Sequence, residues 1–403
     1  MRKLTIVFFD AGGGHRNAAE ALKTTLEEQR RWEVQLLNLQ ELLDSVDIMR
    51  GVTGVRTQDV YNLVLRKGWT RLSPQLLPPL QALIRLSHGR IVRLLQSYWV
   101  QNPAGLVLSV IPHFNRALAE SVRRSLPEAA FVTLLTDFAD YPPHFWIEKE
   151  SEYIICGTER ARQQALEMGH PEDRIFEISG MVLKPKFYQN VMLDRSEERE
   201  RLGLQPDVPT GIVLFGGHGS PAMVEIAQRL QESRTEVQLI MLCGHSQKIL
   251  DELRSLPLKR RMVAQGFAGN VEYYMALADF FIGKPGPGCI SEALQFHLPV
   301  LVERNARTLP QERYNTQWLK EKGLGVVLPS FKQIAAGVDS LLEPSAFAEF
   351  CRNARGYWNR ALFEVPVILD LVFERHASSL MHVSRASGDG APVYRGATWA
   401  AST

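Results

Sequence analysis

The sequence predicts an α/β protein made of two Rossmann-like, doubly wound parallel-sheet domains that face a central cleft. Three observations predict it. Apolar strand candidates alternate with amphipathic helical stretches along most of the 403 residues, the pattern left by βαβ crossovers. Three glycine-rich turns each end a strand and open a helix, and parallel sheets collect ligands at the carboxyl ends of their strands. The chain is also long for one core and comfortable for two.

In the first half the strand candidates are residues 4–9, 34–39, 106–110, 131–135, 153–156 and 175–178. The second half offers 211–215, 238–242, 262–265, 280–282, 300–302 and 325–327. Between them, Lys184-Pro185-Lys186 leads into a charged helical stretch and then Pro206 and Pro209, which reads as a hinge. The first domain is therefore expected over residues 1–190 and the second over 191–355. Residues 356–383 read as a helix crossing back to the first domain. The stretch 384–403, rich in Gly, Ala, Ser and Thr with little to bury, is expected to be disordered.

Each glycine turn brings a different side chain forward. After the first strand, Gly12-Gly13-Gly14 deliver His15 to the mouth of a turn; neither G-x-G-x-x-G nor a P-loop lysine is present. From Val213, VLFGGHGSPAMVEIA sets Gly216, Gly217 and Gly219 around His218. The third, FIGKPGPGCISEAL from Phe281 to Leu294, carries Gly283, Gly286 and Gly288 into a helix expected to open at Ser291. Such turns let backbone N–H groups approach an anion under the positive end of a helix dipole. Glu292, expected in the first helical turn, is placed to accept from a ribose diol. Phosphate plus ribose describes a nucleotide.

Composition narrows the class. With 45% hydrophobic and 22% charged residues and a net charge of +2, the chain reads as an ordinary soluble globular protein. Cys156, Cys243, Cys289 and Cys351 form no C-x-x-C pair, so neither a zinc site nor a disulfide framework is implied, and a reducing compartment is expected. No signal-peptide pattern and no apolar run long enough to span a bilayer is read.

Residues 50–100 depart from the alternation. They hold eight Lys or Arg against one acidic residue, Asp59, with Tyr61, Trp69 and Trp99 interleaved. Leu80, Leu83, Ile84, Ile91, Leu94, Leu95 and Tyr98 recur at helical spacing, with Arg85, Arg90 and Arg93 off that face. Such a surface suits an anionic membrane. It equally suits a helical hairpin packed on its own domain with solvated arginines. No nucleic-acid module accompanies the charge, so nucleic acid is not expected as a partner.

Together, GGGH near the start, TDF and then PHFW from Thr136, GGHG after a strand, GF at Gly266 and GKPGPGCISEAL resemble the monogalactosyldiacylglycerol synthase and processive diacylglycerol glucosyltransferase family. That family is related to the peptidoglycan glycosyltransferase that adds N-acetylglucosamine to lipid I. The resemblance runs from about residue 4 to residue 330, in order. It implies a GT-B fold, with UDP-galactose or UDP-glucose held mainly by the second domain and diacylglycerol by the first. It implies an inverting hexosyltransferase, peripheral on the inner, cytoplasmic face of a membrane.

Carried over, Gly266-Phe267 would grip the uracil edge through backbone. The diphosphate would lie between the Gly217-His218-Gly219 turn and the helix start after Gly288, with Pro287 and Cys289 flanking that glycine and Glu292 on ribose. Gln311 and Glu312, in a Q-E-x-x-N element ending at Asn315, would face the donor sugar. No cofactor or essential metal is expected if helix dipoles and N–H groups neutralise the diphosphate. Cys289 itself reads as a small packing residue.

Catalysis requires a base for the acceptor hydroxyl. His15, behind Gly13 and Gly14, and Asp137, following the buried strand FVTLLT, are the candidates. Asp137 either deprotonates the hydroxyl itself or orients and charge-stabilises His15. His113 and His144 fall in Pro-His pairs where the family has His-Pro. A different class of reading is a soluble UDP-sugar-binding protein of the same architecture, epimerase-like or peptidoglycan-type, which has no use for the basic aromatic section.

Overall fold

The computed structural model describes residues 2–10, 13–44, 73–257, 259–306 and 308–386. Within them the chain builds two six-stranded, all-parallel sheets. The first holds β1 (Arg2–Phe8), β2 (Trp32–Asn38), β3 (Leu106–Ser109), β4 (Ala130–Leu134), β5 (Tyr153–Cys156) and β6 (Ile175–Glu177). The second holds β7 (Thr210–Leu214), β8 (Gln238–Leu242), β9 (Met262–Gln265), β10 (Phe280–Gly283), β11 (Val300–Glu303) and β12 (Gly325–Leu328). Each expected strand is present, with ends moved by at most about two residues, as is normal for frayed boundaries.

Helices on both faces explain the strand sequences. Every residue of β3, β4, β5, β7, β8 and β10 is buried, so these strands read as continuous apolar runs. At the edge, β2 alternates instead: Trp32 and Val34 face inward while Glu33 and Gln35 are exposed.

Strand order positions the site. The sheets run β2-β1-β3-β4-β5-β6 and β12-β11-β10-β7-β8-β9. Order reverses between β1 and β3 in one sheet and between β7 and β10 in the other, which opens a crevice at the carboxyl end of each. The turn before His15 and the two remaining glycine turns lie at these reversals.

The two cores exchange chain. Ile178 belongs to the first core, whereas Met181, Leu183 and Phe187 already pack in the second. In return, the helix Ala361–Ala386 puts Leu362, Val365, Leu369 and Val372 against Leu4, Ile6, Leu22 and Leu26 of the first. Its Asp370 accepts from Arg2 at 2.6 Å and from the Trp32 indole at 2.9 Å. Where the chains cross, Asn359 Nδ2 donates to the Met181 carbonyl at 2.8 Å.

The helix Ser73–Gln101 packs Ile91, Leu95 and Trp99 with Leu118 and Val122 of the helix Asn115–Ser125. Trp99 Nε1 donates to Ser121 Oγ at 2.9 Å. Arg85, Arg90 and Arg93 are exposed on the other side, as are Leu86 at 85% and Val100 at 78%. Among the described residues no helix is long and apolar enough to cross a membrane. The rest of the basic section, residues 45–72 with the side chains of Leu80 and Leu83, and the tail from 387 lie outside the described residues.

Candidate active site

The first wall of the cleft is set by the end of β1. Gly13 sits at φ 80°, a backbone that L side chains adopt at a cost, and the helix Gly14–Arg30 begins directly after it. His15 is thus held in the first helical turn. Its Nδ1 lies 3.0 Å from Thr136 Oγ1, and its ring centroid 5.8 Å from that of Trp146. Burial lowers its pKa to about 4, against the Val110 carbonyl, which favours the protonated ring. At neutral pH the imidazole is uncharged and able to take a proton.

Asp137 follows Thr136 beyond the end of β4 and is 8% exposed. Its Oδ2 accepts from Trp146 Nε1 at 2.9 Å. Burial lifts its pKa to about 7; the indole bond opposes this, Glu312 and Asp140 add to it, and Lys284 offsets it. His15 and Asp137 therefore share Trp146 as a neighbour, and the hydrogen-bond partner at His15 Nδ1 is Thr136.

Asp140 places Trp146. Its carboxylate accepts from the backbone N–H groups of His144 at 3.1 Å, Phe145 at 2.9 Å and Trp146 at 2.6 Å, folding the loop under His15. His113 and His144 adopt left-handed backbone, φ 68° and 62°. The His113 ring packs edge-on to Phe145 at 4.3 Å, and burial lowers its pKa to about 4.

The second wall uses the turns after β7, β8, β9 and β10. Gly217 and His218 are exposed, and Gly219, at φ 64°, packs so tightly that a Cβ would stand 2.7 Å from the Cys243 carbonyl oxygen. His218 lies 6.4 Å from His245, and His245 stacks on Phe267 at 4.2 Å. Phe267, next to Gly266, is 64% exposed, so this ring pair forms an open aromatic face.

One expectation is corrected here. The helix after β10 spans Pro287–Gln295, with Gly286 as its N-cap, and does not wait for Ser291. Proline suits the first helical position because its fixed φ is already helical and its missing N–H would have no partner there. Pro287, Gly288 and Cys289 thus form the first turn, and Glu292 falls in the second. Burial raises the Cys289 thiol to about 12. Burial also raises Glu292 to about 7, with Lys186 and Lys184 of the inter-domain segment pulling it back.

Gln311 and Glu312 open the helix Pro310–Glu321. Glu312, 8% exposed, has Oε1 3.8 Å from Lys284 Nζ; burial raises its pKa and Lys284 opposes the rise. Fully buried Asn315 donates from Nδ2 to the Pro285 carbonyl at 2.8 Å, tying this helix to the turn after β10.

The walls meet. Asp137 of the first domain feels Glu312 and Lys284 of the second. Beside them the rings of Tyr141 and Tyr314 stand 5.7 Å apart, and Phe138 packs on Trp318 at 4.6 Å. The structure therefore brings His15, Asp137, Cys289, Glu292 and Glu312 onto one cleft, and groups His218 with Phe267 around His245. Thr136, Trp146, His245 and Lys284 were given no role by sequence reasoning. The TDF, PHFW and GKPG blocks held three of them; nothing around His245 marked it.

Two facing parallel-sheet domains, with glycine turns at the strand-order reversals, define the GT-B class of glycosyltransferase folds. Among solved structures, that of Acinetobacter baumannii MurG matches with a TM-score of 0.60 at 14% identity, covering 92% of this chain and 99% of that one. An S. aureus MnaA–UDP co-structure matches with a TM-score of 0.56 at 13% identity, covering 96% and 97%.

Residues 212–348 match the glycosyltransferase family 28 C-terminal domain. The chain is 25% identical over 363 residues to the chloroplastic monogalactosyldiacylglycerol synthase of Spinacia oleracea, covering 86% of this chain and 67% of that protein. The resemblance to the monogalactosyldiacylglycerol synthase family thus holds over most of the sequence. The chain spans about two thirds of the length of these curated relatives.

Proposed function

We propose that this glycosyltransferase moves galactose or glucose from a UDP-sugar to diacylglycerol, with inversion, while resting on the inner face of a membrane. The observation that carries the reading is that the loop holding Asp137 packs against the helix holding Glu312, with Phe138 on Trp318 at 4.6 Å and Tyr141 by Tyr314 at 5.7 Å. It sets a proton acceptor on one wall opposite donor-binding candidates on the other.

In this reading the acceptor hydroxyl enters beside Trp146 and loses its proton to His15. Its oxygen attacks the anomeric carbon from the face opposite UDP, and the bond to the diphosphate breaks. Asp137, when ionised, stabilises the imidazolium that forms. Negative charge on the departing diphosphate is met by N–H groups of the Gly217–Gly219 turn and of Gly288 and Cys289 at a helix N-terminus, so no metal is called on. Gln311 and Glu312 face the sugar, and Glu292 the ribose. The exposed Arg85, Arg90 and Arg93 with Leu86 supply a surface for anionic lipid.

The test is to incubate purified protein with radiolabelled UDP-galactose or UDP-glucose and diacylglycerol vesicles, then separate the lipids. Label in a monoglycosyldiacylglycerol is expected. Label released only as free sugar, or none transferred with either donor, overturns the reading. Flotation with anionic and neutral liposomes tests the membrane part: equal recovery would favour the soluble UDP-sugar protein.

A further inference from the structure

His15 functions as a base only in one tautomer. A neutral imidazole carries a single N–H, and the nitrogen facing the acceptor hydroxyl must be the one without it. What decides the tautomer is the partner at the other nitrogen, which at Nδ1 is the Thr136 hydroxyl, 3.0 Å away.

A hydroxyl could donate to Nδ1 as well as accept from it, so that contact alone leaves both tautomers open. The base role decides between them. The nitrogen turned to the acceptor hydroxyl has to be bare, so the ring proton belongs on Nδ1, where Thr136, just past the end of β4, is in place to accept it. The order β1-β3-β4 in the first sheet brings that threonine to the turn after β1. Asp137, the charged neighbour in sequence, is engaged by the Trp146 indole instead.

We infer that Thr136 is the positioning residue for His15: its Oγ1 accepts from Nδ1–H and leaves the Nε2 lone pair facing the cleft. The neighbouring residues Thr136 and Asp137 then divide the work. One sets the tautomer of His15, and the other stays ionisable toward the second domain. The role as a base rests on the proposed transferase reaction, whereas the tautomer is a property of the protein alone.

The test reads the two separately. Protein labelled with 15N-histidine is examined at pH 7 by long-range 1H–15N correlation, with His15→Gln used to assign the His15 signals. A protonated Nδ1 and a bare Nε2 are expected in the wild type. In Thr136→Val, which keeps the shape of the side chain and removes the acceptor, the two nitrogens are expected to move toward averaged shifts.

With UDP-galactose or UDP-glucose and diacylglycerol, Thr136→Val is expected to lower kcat roughly 10-fold or more, within the range of general-base effects, with KM for both substrates little changed. Thr136→Ser, which restores the hydroxyl, is expected to recover most of the rate. A wild-type His15 protonated on Nε2, or an unaltered tautomer in Thr136→Val, overturns the inference. A wild type with the expected tautomer and no transfer to lipid would instead sink the proposed function and leave the positioning intact.

Discussion

The Trp146 indole donates to the Asp137 carboxylate at 2.9 Å, on a residue that is itself fully buried. This bond favours the ionised form of Asp137 and restrains the rise that burial imposes. Trp146→Phe keeps an aromatic ring and removes the donor, so the pKa of Asp137 is expected to climb further above about 7. The acidic limb of the kcat/KM profile should then move to higher pH. An unmoved limb would show that Asp137 does not govern it.

Asp137 also bears on stability. Its folded-state pKa, about 7, is above the 3.8 of a solvated aspartate, so the folded chain holds this proton more tightly than the unfolded chain. Its contribution therefore becomes less favourable as pH rises from about 4 through about 7 and stays unfavourable above that. Asp137→Asn still accepts from Trp146 and cannot ionise. Urea unfolding should find it more stable than wild type at pH 8, by on the order of 1–3 kcal/mol, with the advantage shrinking as pH falls. A pH-independent difference would refute the assignment.

His15→Ala is expected to lower kcat by about 10²–10⁴-fold, the usual worth of a positioned base. UDP affinity should persist, because the nucleotide candidates lie on the second domain. Calorimetry alongside a rate assay checks both, and an unchanged rate would remove His15 from the chemistry.

Glu292→Ala is expected to weaken UDP binding by about 1.5–3 kcal/mol, the scale of hydrogen bonds to a charged group. Since burial holds Glu292 near 7, the wild-type advantage should fade as pH drops through that value and the carboxylate is protonated. Titration calorimetry at pH 6 and pH 8 reads this. Equal affinities of variant and wild type at pH 8 would refute the ribose role.

How far the sequence reached is clearest in particular elements. The strands β7 and β10 are runs of buried apolar residues between turn signals, a local pattern that needs no partner to be recognised. The start of the helix at Pro287 was misplaced, because Gly-Pro-Gly reads as a loop until a strand beneath it gives the turn a direction. His245 escaped notice altogether. Its significance is a ring 4.2 Å away on Phe267, and nothing in its own neighbourhood marks it.

By itself, then, the sequence determined the two parallel-sheet halves and the glycine turns that end their strands, since periodicity and backbone freedom are written into short stretches of chain. Tertiary structure alone decided which groups act on one another. Thr136 meets His15 across 121 residues because β1, β3 and β4 are adjacent in the first sheet. Asp137 feels Glu312 because two separately built cores close on one cleft. Hydrogen bonds and charge interactions act over a few ångströms of space, and that proximity is set by packing rather than by order along the chain.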